Sequence, residues 1–199
     1  MKDIVRSVAL AAAAVVLAAS MAGVTAAQPV QGPKASPPIL VTSCGQSEGP
    51  SSLNTILKRV GVVYDVVPLA TVNDLKARAY KSLIVTMGAS LKGMGAAGIS
   101  IDDELKRAAE LIDAARKANI IVIGAHIEGM KRRAQGADVG DTTDEQSIDT
   151  VAPKSDILFV KKEGNSDNRF SIIAQAKKIP LIEFEKNMDM VAALEKIFK

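Results

Sequence analysis

Residues 82–124 read SLIVTMGASLKGMGAAGISIDDELKRAAELIDAARKANIIVIG and contain the pattern that decides the fold. The stretch begins with a short apolar run, residues 82–87, and ends with another, residues 120–123, and such runs are typical of buried strands. Between them, residues 101–118 repeat apolar side chains every three or four positions, which is typical of a helix with one buried face. A strand, a helix and a second strand in this order predict a unit whose two strands are parallel.

The central helix carries its own start signal and surface charges. Ser100 stands before it as the expected N-cap, and Asp103 lies close to the position of a capping-box acid. Acidic residues stand four positions before basic ones, the order that favours ion pairs on a helix. These expected pairs are Asp102–Lys106, Asp103–Arg107 and Asp113–Lys117.

The same alternation continues in both directions. Strands are predicted at 39–42, 62–67, 82–87, 120–123, 157–160 and 181–184. Helices are predicted at 51–60, 71–77, 101–118, 144–151, 167–178 and 187–198, with Gly61 ending the first and Thr71 and Asn187 capping two others. Right-handed crossovers would place these helices on both faces of the sheet. The prediction is a single three-layer α/β/α domain with a mostly parallel, six-stranded Rossmann-like sheet.

The N-terminus has the pattern of a secretory signal peptide, residues 1–27. Lys2 and Arg6 precede the apolar run 8–19, and small residues before position 28 suit a cleavage site. An uncleaved membrane anchor is the alternative, which the alanine-rich run and the cleavage pattern disfavour. Residues 28–38 hold four of the eight prolines and read as a linker, so the domain is expected at 39–199. We therefore expect a periplasmic or secreted protein that is not bound to a membrane after signal cleavage.

Composition disfavours one class of partner. The formal net charge is only +3, aromatic residues make up 3% of the chain, and there is no long basic run. Nucleic-acid binding typically needs a strong basic stripe or exposed aromatic side chains among basic ones. Nucleic acid is therefore not an expected partner.

A ligand site is expected beyond the carboxyl ends of the strands, where open parallel sheets bind their ligands. The residues predicted to line it follow four of the strands: Ser43, Cys44, Gly45, Gln46, Ser47, Gly88, Ser90, Lys92, His126 and Asn165. Backbone N–H groups of Gly45 and Gly88 would donate to the ligand, and Lys92, Lys161 and Arg132 would add positive charge. The expected ligand is a small polar molecule, and these donors favour an anion. No cofactor is implied.

An enzyme is the main alternative. Cys44 lies between a strand and a helix, where a thiol pKa is typically lowered. If strands one and four flanked the point where strand order reverses, His126 would face Cys44 and could act as its base. A hydrolase or transferase using Cys44 or Ser43 with His126 would result. The competing interpretation is a buried cysteine and a hydrogen-bonded histidine.

Two further patterns carry less information. Residues 93–98 match G-x-G-x-x-G, but they do not directly follow the strand or open the predicted helix, so we interpret them as a mobile flap and not a dinucleotide site. His126, Glu128, Asp138, Asp141 and Asp144 are poor evidence for a metal, and the acids read as a solvated loop. Residues 125–150 could also dock a partner protein, which would make the domain an interaction module.

Four strings carry a family resemblance: VTSCGQS (41–47), MGASLKGMGAAGISIDDE (87–104), IIVIGAHIEG (120–129) and VAPKSDILFV (151–160). In order and spacing they resemble the domain of unknown function 6305 family of exported bacterial proteins. The resemblance implies an exported α/β domain and supplies no catalytic residue. The preferred prediction is therefore a non-catalytic domain that binds a small anionic molecule, with a transporter or a sensor as its partner.

Overall fold

The computed structural model describes residues 34–134 and 141–199. Its six strands form one sheet in the order β2-β1-β3-β4-β5-β6, and every neighbouring pair is parallel. The strands are β1 (Ile39–Cys44), β2 (Tyr64–Val66), β3 (Ser82–Met87), β4 (Ile121–His126), β5 (Ile157–Lys161) and β6 (Leu181–Phe184). The predicted α/β fold with a parallel sheet is confirmed.

Helices cover both faces of this sheet. They are α1 (Gly49–Val60), α2 (Val72–Lys76), α3 (Leu91–Ala97), α4 (Ile101–Lys117), α5 (Thr143–Val151), α6 (Arg169–Lys177) and α7 (Asp189–Phe198). Buried side chains of α1 and α7 pack on one face, and those of α2, α4, α5 and α6 pack on the other. None of the helices in the described ranges has both the length and the apolar character needed to cross a membrane.

The strand order corrects one structural expectation. The chain passes from β1 to β2 on one side and then crosses to β3 on the other, so strand order reverses between β1 and β3. The Cys44–His126 pairing required that β1 and β4 flank this point. That arrangement is wrong, because β3 lies between them.

Several local signals are confirmed. Gly61 ends α1 in the left-handed conformation, with φ of 73°, and donates its N–H to the Leu57 carbonyl. Ser100 caps α4 by accepting the Asp103 N–H, and Thr71 forms a capping box with Asp74 at the start of α2. Each cap supplies a partner for a backbone group that the end of a helix leaves free.

Other local expectations are wrong. Asn187 does not cap α7, which begins at Asp189 after Met188, and the flap predicted at 93–98 lies largely within α3. The helix ion pairs also differ from those expected. Arg107 pairs with Glu104 in place of Asp103, and Asp113 pairs with Lys154 in place of Lys117.

Strands β1 and β4 run two or more residues beyond the C-terminal ends that the apolar runs indicated. β1 continues through Ser43 and Cys44, and β4 continues through Ala125 and His126, all of them buried. Because these positions hold small or polar residues, the apolar runs did not indicate where the strands end. As a result, residues expected on loops lie inside the sheet.

Candidate functional site

Three loops meet at the carboxyl end of the sheet, beside the β1/β3 reversal point. The loop after β1 contacts the loop after β3 through an isolated antiparallel bridge between Gln46 and Ala89. The turn after β4 joins them, because Arg132 donates to the Ala89 carbonyl over 2.8 Å. This position is where open parallel sheets bind ligands. It is therefore the first place to look for a site.

The backbone donor expected at Gly45 is already bonded within the chain. Its N–H donates to the Glu104 carboxylate over 2.8 Å, and the Gln46 side-chain amide donates to the same oxygen over 2.7 Å. Arg107 binds both oxygens of this carboxylate, with Nε and Nη2 at 2.8 and 2.9 Å. The Gly45 N–H is therefore not free for a ligand, which corrects the role predicted for it.

The donor expected at Gly88 is engaged in the same way by helix α5. Gly88 donates its N–H to Ser147 Oγ over 3.0 Å, and the next N–H, that of Ala89, donates to Asp144 over 2.6 Å. Ser147 in turn donates its hydroxyl proton to the Cys44 carbonyl over 2.6 Å. Burial raises the pKa of Asp144, because the charged carboxylate loses contact with water. The predicted role of the Gly88 N–H is corrected on the same ground.

Glycines let the backbones that follow β1 and β3 approach each other closely at Gly45 and Gly93. A Cβ on Gly45, whose φ is +109°, would lie 2.5 Å from the Gly88 carbonyl oxygen. A Cβ on Gly93 would lie 2.1 Å from the Gln46 carbonyl oxygen. Both distances are far below van der Waals contact, so a larger residue would force the loops apart. Gly93 is thus a packing residue, which accounts for part of the G-x-G-x-x-G string.

Cys44 is a buried thiol. Its side chain has no exposed surface, and burial raises its pKa to about 12. The lowered pKa that its place before a helix suggested is wrong, since loss of solvation outweighs any favourable dipole. Ser43 is equally buried, and its Oγ has no hydrogen-bond partner within the described residues.

His126 is buried and neutral. Its ring nitrogens lie 3.3 Å from the Met87 carbonyl and 3.1 Å from the Gly129 carbonyl, and burial lowers its pKa to about 4. Cys44 pairs with Met87 across the sheet, so a whole strand separates Cys44 from His126. Two strand spacings amount to about 9–10 Å, beyond hydrogen-bond reach. The two residues therefore do not form a nucleophile and its base.

Asn165 has a different position from the one predicted. It is buried beyond β5, where its Oδ1 accepts the Phe170 N–H and its Nδ2 donates to Ser171 and Glu183. These bonds fix the start of α6 and link it to β6. Asn165 lies under the β5/β6 end of the rim and does not join the residues at the β1/β3 end.

Two half-buried serines and two exposed lysines lie on the segments that follow β1, β3 and β4. We use the term outer rim surface for Ser47, Ser90, Lys92 and Lys131. Lys92 is exposed and makes no ion pair with any described residue. Lys131 lies 3.5 Å from Glu48, and both side chains are more than 60% exposed, so this pair is weak.

A second concave region lies at the β6 edge of the rim. It is an open groove of about 400 Å³ between β6, α7 and the turn after β5. Its charged lining residues are Lys162, Glu183, Glu185, Asp189 and Lys196. Three acids against two lysines make this groove unsuited to an anion.

Arg133 is a central residue that sequence reasoning missed. It is 3% exposed and forms ion pairs with Glu145 and Asp167, and it also donates to the Gly164 carbonyl. The basic cluster at 131–133 was visible in the sequence, but nothing there indicated that Arg133 points inward. It fixes the base of the segment after β4 to the loop after β5.

No group of three or more potential metal ligands occurs in the described parts of the chain. Asp138, named among the candidate acids, lies outside the described residues. Asp141 and Asp144 do not both lie in a solvated loop, as predicted, but have different roles. Asp141 caps Thr143 at the start of α5, whereas Asp144 is 5% exposed and bonded to β3.

Comparisons with known proteins identify a family and several similar folds. The model of DUF6305, a domain of unknown function, matches residues 36–198. No curated protein sequence shows a significant match. Among solved structures, a GDSL-like lipase from Bacteroides thetaiotaomicron is 15% identical, with 73% of this chain and 67% of that chain covered and a TM-score of 0.35.

Two other solved structures show similarity at the same level. A psychrotrophic esterase from Pseudoalteromonas is 10% identical, with 73% of this chain and 76% of that chain covered and a TM-score of 0.36. A sensor protein from Polaromonas is 11% identical, with 71% and 98% covered and a TM-score of 0.33. Similarity this distant assigns no activity to the chain.

Proposed function

The chain belongs to the DUF6305 family, and we propose that its domain binds a small anionic molecule on the outer rim surface without catalysing a reaction. The observation that carries this proposal is the contrast between the inner and outer donors of the rim. The inner N–H groups are bonded within the chain, whereas Lys92 and the weakly paired Lys131 are exposed to solvent.

Burial of the candidate nucleophiles supports a binding role over catalysis. Ser43 and Cys44 have no exposed surface, and β3 separates Cys44 from His126, the one histidine in the chain. A nucleophile needs its base within hydrogen-bond reach and needs access to substrate. Neither condition is met for these three residues.

Charge and helix geometry favour an anion. The twelve-residue helix α1 begins beside Ser47, and its N-cap residue, Glu48, makes no side-chain cap hydrogen bond. The positive end of the helix dipole adds to the charges of Lys92 and Lys131, although Ser47 Oγ already accepts the Gly49 N–H over 3.3 Å. Arg132 contributes less, because it is paired with Glu128 and bonded to the Ala89 carbonyl.

Titration calorimetry against organic acids and phosphates tests the proposal. Replacement of Lys92 by alanine should weaken binding by about 1–3 kcal/mol, the scale of a charge-assisted hydrogen bond. Folding stability should hardly change, since the side chain is exposed. Lys81→Ala is the matched control, because Lys81 is exposed just before β3, at the opposite, amino end of the strands. Absence of anion binding by the wild type, or equal binding by Lys92→Ala, would contradict the proposal.

We propose further that the chain is exported. This proposal rests on the positive residues, apolar run and cleavage pattern of residues 1–27. N-terminal sequencing of the protein purified from its own cells should give a first residue of Ala27 or Gln28. A mature chain beginning at Met1 would rule this out.

A further inference from the structure

The Glu104 carboxylate has the surroundings of a bound ligand. Four donor groups converge on its two oxygens: the Gly45 N–H, the Gln46 amide, and Nε and Nη2 of Arg107, all within 2.9 Å. The Arg107 contact is the planar two-bond pairing by which guanidinium groups recognise free carboxylates. Glu104 itself is 0% exposed.

The donors around Glu104 are held in place independently of it. Arg107 also donates to the Ser43 and Ala70 carbonyls, which fixes its guanidinium plane. The Gln46 amide also donates to the Pro68 carbonyl over 3.2 Å. A site whose donors have other partners can keep its shape when one occupant is removed.

The position of this carboxylate matters as much as its bonds. It lies next to the first turn after β1, at the β1/β3 reversal point where open parallel sheets bind their ligands. Gln46 adopts φ of 55° there, a left-handed conformation that non-glycine residues rarely take. Its side chain is thereby directed to Glu104.

We propose that Glu104 is an in-chain ligand: its carboxylate occupies a carboxylate-binding position formed by Gly45, Gln46 and Arg107 and keeps that position closed to external anions. We use the term inner anion position for these three residues. External carboxylates enter the inner anion position only when the Glu104 side chain is absent or the first turn of α4 withdraws.

Chemical rescue of Glu104→Ala tests this proposal. The variant loses a carboxylate and leaves the donors, so added formate or acetate should raise its thermal midpoint in a saturable way. The expected dissociation constant is in the millimolar range, because so small a ligand makes few contacts. Sodium chloride at the same ionic strength should not reproduce the effect.

Two controls separate a specific site from a general salt effect. Glu104→Gln fills the same volume without the charge, so neither it nor the wild type should show the additional formate response of Glu104→Ala, whatever either gains from binding at the outer rim surface. Glu104→Ala combined with Arg107→Met should lose the response, since the two-bond donor is gone. Glu104→Ala combined with Lys92→Ala should keep it, because Lys92 belongs to the outer rim surface.

The outcomes are decisive even where the variant is unstable. If Glu104→Ala is unfolded in buffer, formate should restore cooperative urea unfolding, measured by circular dichroism. A variant that stays unfolded in formate, or folds but shows no saturable response, would overturn the proposal. Equal stabilisation of the wild type and the variant would overturn it as well.

Discussion

Burial determines the chemistry of Cys44. With its pKa raised to about 12, only about one thiol in ten thousand is ionised at pH 8. We expect almost no reaction of the native protein with a thiol reagent, and full reaction after unfolding in guanidinium. The chain has a single cysteine, so the signal is unambiguous. Rapid labelling of the native protein would show that Cys44 is accessible and would reopen the catalytic alternative.

Burial of His126 makes the folded protein less stable at acidic pH. Its pKa is about 4 in the folded protein against 6.5 for an unperturbed histidine, so between these pH values the unfolded chain binds a proton that the folded chain does not. The free energy of unfolding should therefore fall as pH decreases through this range, by about 3 kcal/mol at about 1.4 kcal/mol per pH unit.

Proton NMR of this single histidine measures the effect directly. Its ring signals should titrate with a midpoint near pH 4. The pH dependence of urea unfolding should lose this component in His126→Gln, which has no titrating group. A midpoint near 6.5 would show that the ring is solvated.

At the scale of elements, helix α5 holds the end of β3 in place. Asp144 accepts the Ala89 N–H, and Ser147 links the Gly88 N–H to the Cys44 carbonyl. The sequence predicted a helix at 144–151, but the partners of these side chains lie more than 50 positions away. Periodicity within one segment contains no information on such distant contacts.

Two substitutions at Asp144 separate its hydrogen bond from its charge. Asp144→Ala leaves the buried Ala89 N–H without a partner and should lower the free energy of unfolding by about 1–3 kcal/mol. Asp144→Asn keeps an acceptor and removes a charge that burial disfavours, so it should be at least as stable as the wild type at pH 7.

The pH dependence of the free energy of unfolding provides a control for these two substitutions. Because the folded-state pKa of Asp144 is raised, the folded protein binds the proton more tightly than the unfolded chain does. Wild-type stability should therefore rise relative to Asp144→Asn as pH falls through that pKa. Urea unfolding at pH 7 and at pH 4 measures the difference. A large loss of stability in Asp144→Asn would show that the charge itself is needed.

At the scale of the whole molecule, the sheet was predictable but its strand order was not. Buried parallel strands such as β3 read as continuous apolar runs, and the helices between them require parallel connections. Which strands lie side by side depends on contacts between distant segments, and the pattern of one segment does not show them. Placing β3 between β1 and β4 separates Cys44 from His126 and removes the catalytic geometry.

The position of the rim residues was predictable, whereas the contacts among them were not. Gln46, Ser47 and Ser90 lie at the reversal point, as the carboxyl-end rule predicted. From the sequence, Glu104 could be recognised only as an acidic residue in the first turn of α4, where the helix dipole commonly stabilises negative charge. Its bond to Gly45 depends on packing between α4 and β1, which the helix pattern does not encode.

Localisation of bound anion on the molecule tests the central claim most directly. We would titrate ¹⁵N-labelled protein with the tightest-binding acid or phosphate and follow the amide signals by NMR. Binding on the outer rim surface predicts saturable shifts at Ser47, Ser90, Lys92 and Lys131, and their loss in Lys92→Ala but not in Lys81→Ala. Shifts confined to the groove beside α7, or no saturable shifts with any anion, would contradict the claim.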